Sequence, residues 1–245
     1  MKLLTFFSDT PLSTMRQTLS RHYDTLTQLA RLPVAHLHFD SRIEPDNVPA
    51  TYRLFTKSHP KYKLIQYKSW GAALIDLQQC GSREGYLDRI KGKNNGGYHA
   101  RRARSRGYTV TEIDRNDHVD AIHDINNSVE QRQGRPMDNQ YREKQARYER
   151  LANFRCFGVF SPEGKLVAYA TVGLYGNFSG FSQLMGYRNN DGIMHLMVSD
   201  IIGLLIDQGK VRYVMYDTFF GALPGLRLFK TMLGFQPFRA KYRLL

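Results

Sequence analysis

Apolar side chains dominate positions 193 to 206, with His195, Ser199 and Asp200 interrupting the run. Such a stretch predicts a long buried helix over 193–208, with Asp191 as its N-cap and Gly209 closing it. Three runs before it, 155–160, 166–175 and 178–187, are rich in branched and aromatic residues and read as strands. Ser161-Pro-Glu-Gly164 and Gly176-Asn177 separate them, with the composition of hairpin turns. After the long helix the pattern predicts a buried strand at 211–217, a helix at 223–233 ended by Gly234, and a last strand at 235–244. Upstream, 108–113 alternates like a strand. Asp117 is then placed to cap a helix bearing Val119, Ile122, Ile125 and Val129 at helical spacing. A polar loop at 130–136 and a second helix at 139–151 complete this stretch.

The first part of the chain carries weaker periodicity. Met15, Leu19, Tyr23, Leu26 and Leu29 suggest a helix over 13–32, and Val34–Phe39 a short strand. Residues 40–50 are polar, contain Pro45 and Pro49, and read as a loop. Runs at 62–67 and 72–77 read as a hairpin, followed by a helix at 82–91. Gly92, Asn94, Asn95, Gly96 and Gly97 interrupt the helical pattern, which resumes as a basic helix at 98–105 and stops at Gly107. From residue 108 the order is β, α, α, β, β, β, α, β, α, β. It implies an α/β (α+β) fold: a mixed sheet with helices on both faces, formed by residues 71–245. Residues 1–70 have too few apolar runs for a core of their own and are expected to pack on that sheet as an extension.

Composition narrows the function classes. Of 245 residues, 42% are hydrophobic and 23% charged, the balance of a soluble globular protein. No apolar run reaches the roughly 20 residues needed to span a bilayer. The start shows no cleavage pattern for a signal peptide, so a cytoplasmic location is expected. Cys80 and Cys156 are too few for a disulfide framework and lack metal-ligand spacing, so reduced thiols and no metal site are expected. The net charge of +13 suggests a polyanionic partner such as RNA. Seven cations and no acid fall between residues 89 and 106, and five cations and no acid between 218 and 245.

Two segments carry a resemblance. Gly71-Ala-Ala-Leu-Ile-Asp-Leu77 leads through Ile90-Lys-Gly-Lys93 to Arg101-Arg-Ala-Arg-Ser-Arg-Gly-Tyr-Thr-Val110. Near the end, Tyr216-Asp217 precedes Gly225-Leu-Arg-Leu-Phe-Lys-Thr-Met-Leu-Gly-Phe-Gln-Pro237. Both resemble the Fem-type aminoacyltransferases, which are built on the GNAT (N-acetyltransferase-like) fold. The resemblance covers about 175 residues and is strongest at its ends. Fem enzymes of cell-wall synthesis usually have two GNAT-like halves. This chain has one, after an abbreviated 70-residue start, which separates it from the cell-wall substrate.

The resemblance implies transfer of an amino acid from aminoacyl-tRNA to the amine of a peptide or small molecule. The ester is already activated, so no cofactor is expected. It assigns Lys230 to the reacting centre, where a cation stabilises the oxyanion or anchors the terminal phosphate. The plainer reading of Lys230 is a solvent-facing helix lysine. Asp217 ends a buried strand, where it orients or deprotonates the amine, against a plain capping role. Arg132 and Arg135, in the loop expected to touch the acceptor, are candidates for a carboxylate-bearing acceptor. Tyr187, Arg188 and Phe229 are further substrate-binding candidates. Lys91, Lys93, Arg101, Arg102, Arg104 and Arg106 are candidates for RNA phosphates, and part of this set is expected to be merely solvated. His99, His118 and His123 lack a partner pattern and read as surface histidines. Tyr169, Tyr175 and Tyr187 read as core or sheet-face residues rather than catalysts.

Coenzyme-A-dependent members of the fold carry a glycine-rich pyrophosphate loop before the long helix. Here Arg188-Asn-Asn-Asp-Gly-Ile193 lacks its second glycine and places Asp191 at the helix start. That favours tRNA over acyl-coenzyme A as donor. The alternatives are an acyl-coenzyme-A N-acyltransferase and a non-catalytic RNA-binding protein on the same fold. The oligomeric state, the amino acid moved and its acceptor are not legible.

Overall fold

Side-chain alternation decides which way each strand faces. In Trp70–Asp76, Ala73 and Ile75 pack to one side while Ala72 and Leu74 pack to the other. In Tyr213–Thr218, Val214 shares the first side and Tyr213 and Met215 the second. A sheet buried on both faces follows, as the sequence pattern requires. The computed structural model describes residues 31–245 except 61, 93, 133 and 134. The helix expected over 13–32 lies outside the described residues but for its last two positions, and Lys93 lies outside them altogether.

In chain order the elements are β1 (Val34–Phe39), α1 (Asn47–Thr56), β2 (Trp70–Asp76), α2 (Arg83–Arg89), α3 (Gly96–Ser105), β3 (Thr109–Glu112) and α4 (Val119–Asn127). A small ribbon of β4 (Gln131–Arg132) and β5 (Arg135–Pro136) and a single turn, α5 (Asn139–Arg142), come next. Then follow β6 (Phe154–Phe160), β7 (Leu166–Leu174), β8 (Phe178–Gly186), α6 (Ile193–Gln208), β9 (Tyr213–Thr218), α7 (Pro224–Met232) and β10 (Gln236–Leu244). Eight strands form one mixed sheet in the order β1-β10-β2-β9-β8-β7-β6-β3. β1 and β10 pair in parallel, as do β8 and β9, and the other neighbours are antiparallel. The edge strand β1 ties the first described segment into the sheet of the rest. α6 packs on one face with α2 and α3, and α1 and α4 cover the other. The α/β architecture with helices on both faces is therefore present.

Several local expectations need correction. Residues 62–67 form no strand: Ser58 and Gln66 make a single bridge, and β2 pairs with β9 and β10 instead. Part of the expected loop at 40–50 is the start of α1. Pro49 sits in the helix's first turn, where no backbone N–H is needed. Gly96 and Gly97 begin α3 rather than break it, because a Cβ on Gly96 would lie 2.3 Å from the Met232 carbonyl oxygen. Asp117 does not cap α4; Asp114 caps a preceding 3₁₀ turn through the Asn116 amide. The expected helix at 139–151 ends after α5. Asn116 holds Tyr148 outside any helix, accepting from its amide at 2.8 Å and donating to its carbonyl at 3.2 Å. The expected loop at 130–136 folds as the β4–β5 ribbon.

Candidate active site

The site begins with a strand pair that fails to zip. β8 and β9 pair in parallel only over Phe178–Gly180 and Tyr213–Met215. Beyond that point their carboxyl halves have no register partners across the gap. Ser182 is an extra residue against β7, where Thr171 faces Gln183 and Val172 faces Phe181. Such a bulge bends and twists its strand, which here opens a crevice at the carboxyl ends of two parallel strands.

Two cavities adjoin β8, and Leu184 lines both. The first, about 910 Å³, runs along the start of α6 and is bordered by His99, Arg102, Tyr187, Arg188, His195 and Phe229. The second, about 400 Å³, is bordered by Lys68, Asp138, Tyr141, Phe181, Tyr216 and Asp217. Both have sizes typical of small-molecule sites, roughly 300–1,000 Å³.

Lys230 is fully buried, not the solvent-facing lysine of the plainer reading. Its Nζ donates to the Thr218 carbonyl at 2.8 Å and lies 4.7 Å from the centre of the Tyr216 ring. Tyr216 is a wall of the second cavity, while Lys230 itself borders neither. Burial lowers its pKa to about 8; the nearby Asp217 works against that drop, and Lys68 adds to it. Asp217 adopts φ 54, a left-handed conformation unusual for a residue with a side chain. Its carboxylate accepts from Lys68 Nζ, a partner that sequence reasoning missed because it lies 149 residues away.

The first cavity holds a second pair missed in the sequence. His99 is not a plain surface histidine: its ring stacks on His195 with centroids 4.7 Å apart, and Phe229 meets His195 edge-on at 4.7 Å. Burial first, then His99 and Arg102, lowers the His195 pKa to about 4, so its imidazole is neutral at physiological pH. His195 Nε2 and Arg102 Nε are buried without a hydrogen-bond partner. The only sequence signal was a histidine in the first turn of an otherwise apolar helix. His118 packs against Phe160, and His123 bonds Asn127. Tyr169 and Tyr175 are core residues, and Tyr187 borders the first cavity.

The loop before α6 differs from expectation. Gly192, at φ 90, is the N-cap, and a Cβ there would lie 2.3 Å from the His99 carbonyl oxygen. Asp191 instead binds Arg106 and the Tyr108 hydroxyl. Of the proposed phosphate-binding cations, Arg106 is thus held by Asp191, Arg104 by Asp200, and Lys91 by Asp88 at 3.5 Å. Arg101 is exposed, and Arg102 turns to the first cavity. Arg132 and Arg135 are backbone register partners in the β4–β5 ribbon, and Arg188 donates to the Gln131 carbonyl of that ribbon at 3.3 Å. No group of three or more histidine, cysteine or acidic residues able to hold a metal occurs among the described residues. No helix among them is long and apolar enough to cross a membrane.

No protein-family model matches the chain, and no curated protein sequence matches it. Solved structures do resemble it. The crystal structure of FemX aligns with a TM-score of 0.53 and 12% identity, over 69% of this chain and 59% of that one. A conserved protein of unknown function from Bacteroides thetaiotaomicron aligns at 0.47 and 17%, over 68% and 56%. A GCN5-related N-acetyltransferase from Kribbella flavida aligns at 0.40 and 10%, over 69% and 54%. The chain spans less than three fifths of the length of each. At 12% identity the likeness to FemX is one of fold, and the fold is GNAT-like.

Proposed function

We propose that the protein is an N-acyltransferase that moves an aminoacyl group from aminoacyl-tRNA to an amine. One observation carries this reading: the splayed strands β8 and β9 open a crevice that two cavities adjoin, and Leu184 is common to both. A donor in one cavity and an acceptor in the other meet at Leu184, which converts a two-molecule encounter into a positioned one.

The larger cavity suits the donor. Arg102 and Arg188 border it, and the amino end of the 16-residue helix α6 opens into it, an arrangement favourable to phosphate. The loop before α6 has a single glycine, Gly192, where the pyrophosphate loop of coenzyme-A enzymes has more, which favours the ester end of tRNA as donor. The smaller cavity suits the amine. The amine nitrogen attacks the ester carbonyl carbon, negative charge gathers on the carbonyl oxygen, and the bond to the ribose oxygen breaks. The proton released by the amine ends on that ribose oxygen. Before the attack Asp217 orients the incoming ammonium and takes its first proton; the second, lost by the nitrogen after it bonds to carbon, is the one that ends on the ribose oxygen. Lys230 turns from Thr218 to place its charge near the oxyanion. An ester donor requires no metal or redox cofactor.

The test is to incubate the protein with pooled charged tRNA and, separately, with acyl-coenzyme A, each with and without primary amines. Loss of the tRNA ester that needs both protein and amine is expected, with the thioester intact. Loss of the thioester alone would transfer the reading to acyl-coenzyme A, and stability of both would reject it.

A further inference from the structure

Asp217 is held from outside its own strand. Between the pairs Leu74–Met215 and Ala72–Thr218, β2 contributes Ala73 alone while β9 contributes Tyr216 and Asp217. Two residues opposite one make a bulge, a device that re-aims side chains. Both Tyr216 and Asp217 border the smaller cavity. Asp217 takes a left-handed backbone at φ 54, which glycine adopts freely and a residue with a side chain adopts at a cost. Such a conformation persists where the surroundings impose it.

We infer that Lys68 is a positioning residue for the acceptor: by engaging Asp217 Oδ1 it turns the carboxylate so that Oδ2 meets the incoming ammonium. This rests on the reading of Asp217 as the group that receives the amine. The backbone of Lys68 is fixed from two elements. Its amide donates to the Phe55 carbonyl of α1 at 3.1 Å, and its carbonyl accepts from the Tyr242 hydroxyl of β10 at 2.8 Å. Its side chain is largely buried, with Nζ 4.4 Å from the centre of the Tyr67 ring, and it donates to Asp217 Oδ1. The carboxylate it holds is half-exposed beside the cavity. An ion pair with one partner so open to water adds little to folding, so what the pair decides is where the carboxylate lies. The site then has two ammonium groups with separate tasks. Lys68 orders the carboxylate, and Lys230, on the Thr218 carbonyl, is left for the oxyanion.

The experiment has two arms. Crystal structures of wild type, Lys68→Arg and Lys68→Met show where the Asp217 carboxylate lies. It should stay on the cation in the first two and turn away, or spread over several positions, in the third. Steady-state transfer from pooled charged tRNA to glycinamide reads the consequence. Lys68→Met should lower kcat/KM for the amine by about tenfold to a hundredfold, the scale of a misplacement of about 1 Å, with the KM for tRNA unchanged. Lys68→Arg should restore most of it. Between about pH 5.5 and 7, below the titration of Lys230 at about 8, wild type accepts the ammonium and its rate should be flat. Lys68→Met must wait for free amine, so its rate should climb about tenfold per pH unit. A merely structural lysine would leave that slope alone. Unchanged thermal midpoints in both variants exclude misfolding as the cause. A carboxylate that keeps its place in Lys68→Met, or a displaced one with transfer and slope unchanged, would overturn the inference. Wild type that transfers to no primary amine, with the carboxylate displaced in Lys68→Met, would uphold the hold of Lys68 on Asp217 and reject the transferase reading instead.

Discussion

Lys230 sits on a helix that otherwise reads as ordinary, yet it is fully buried, with one hydrogen bond to the Thr218 carbonyl. Burial disfavours its charged form, and the drop from 10.5 to about 8 corresponds to roughly 3 kcal/mol. The sign follows from proton linkage. Between pH 8 and 10.5 the unfolded chain binds more protons at this site than the folded one, so stability rises with pH there. Below 8 the full penalty applies. Lys230→Met should therefore gain stability relative to wild type at pH 7. That advantage should shrink as pH approaches 10, as thermal midpoints across the range will show; a constant difference would mean the lysine is not buried in its charged form. Lys230 and Asp217 were marked as candidates in the sequence by a local motif. Lys68 and His195 were not, because what defines them is a partner: Asp217 lies 149 residues from Lys68, and the His99 ring is brought to His195 only by the packing of α3 on α6.

At the scale of elements, strands and buried helices were legible and the polar connections were not. α6 stands where the apolar run predicts it, and β1 and β6 to β8 lie within a residue of their predicted limits. Elements with a strong apolar period carry their own evidence. The stretch 139–151 has helix-forming residues but only Tyr141, Tyr148 and Leu151 as large apolar ones, so side-chain bonds from Asn116 decide its shape. α3 shows the same limit for charge. Its cations looked alike in the sequence, but Arg104 and Arg106 are consumed by Asp200 and Asp191, while Arg101 and Arg102 are not so paired. Arg101→Ala with Arg102→Ala should therefore weaken tRNA binding and flatten its salt dependence, by roughly 0.7 to 1 in log–log slope per lost phosphate contact. Arg104→Ala should change the slope less. Filter binding across a salt series distinguishes the two, and equal effects would mean the ion pairs do not hold in solution.

For the whole molecule, the organising feature is the sheet's failure to close between β8 and β9. The order of elements along the chain was readable from the hydrophobic pattern, but the order of strands in the sheet and the splay were not, the splay because it goes with a one-residue bulge at Ser182 that no local composition marks. That opening brings residues from α1, α3, α6, α7 and the β2 approach to one crevice, although they are scattered along the chain. The account's central claim is that acyl transfer to an amine takes place there, assisted by the charge of Lys230. The measurement that tests it most directly is a single-turnover assay at saturating aminoacyl-tRNA. A labelled aminoacyl group is followed by mass spectrometry into the amide product, in wild type and Lys230→Met. A charge that stabilises a developing oxyanion is worth about 10²–10³ in rate. The account predicts amide formation by wild type and a variant slower by about that factor, with its folding intact. Wild type forming no amide above the uncatalysed rate, or the variant matching wild type at saturation, would contradict it.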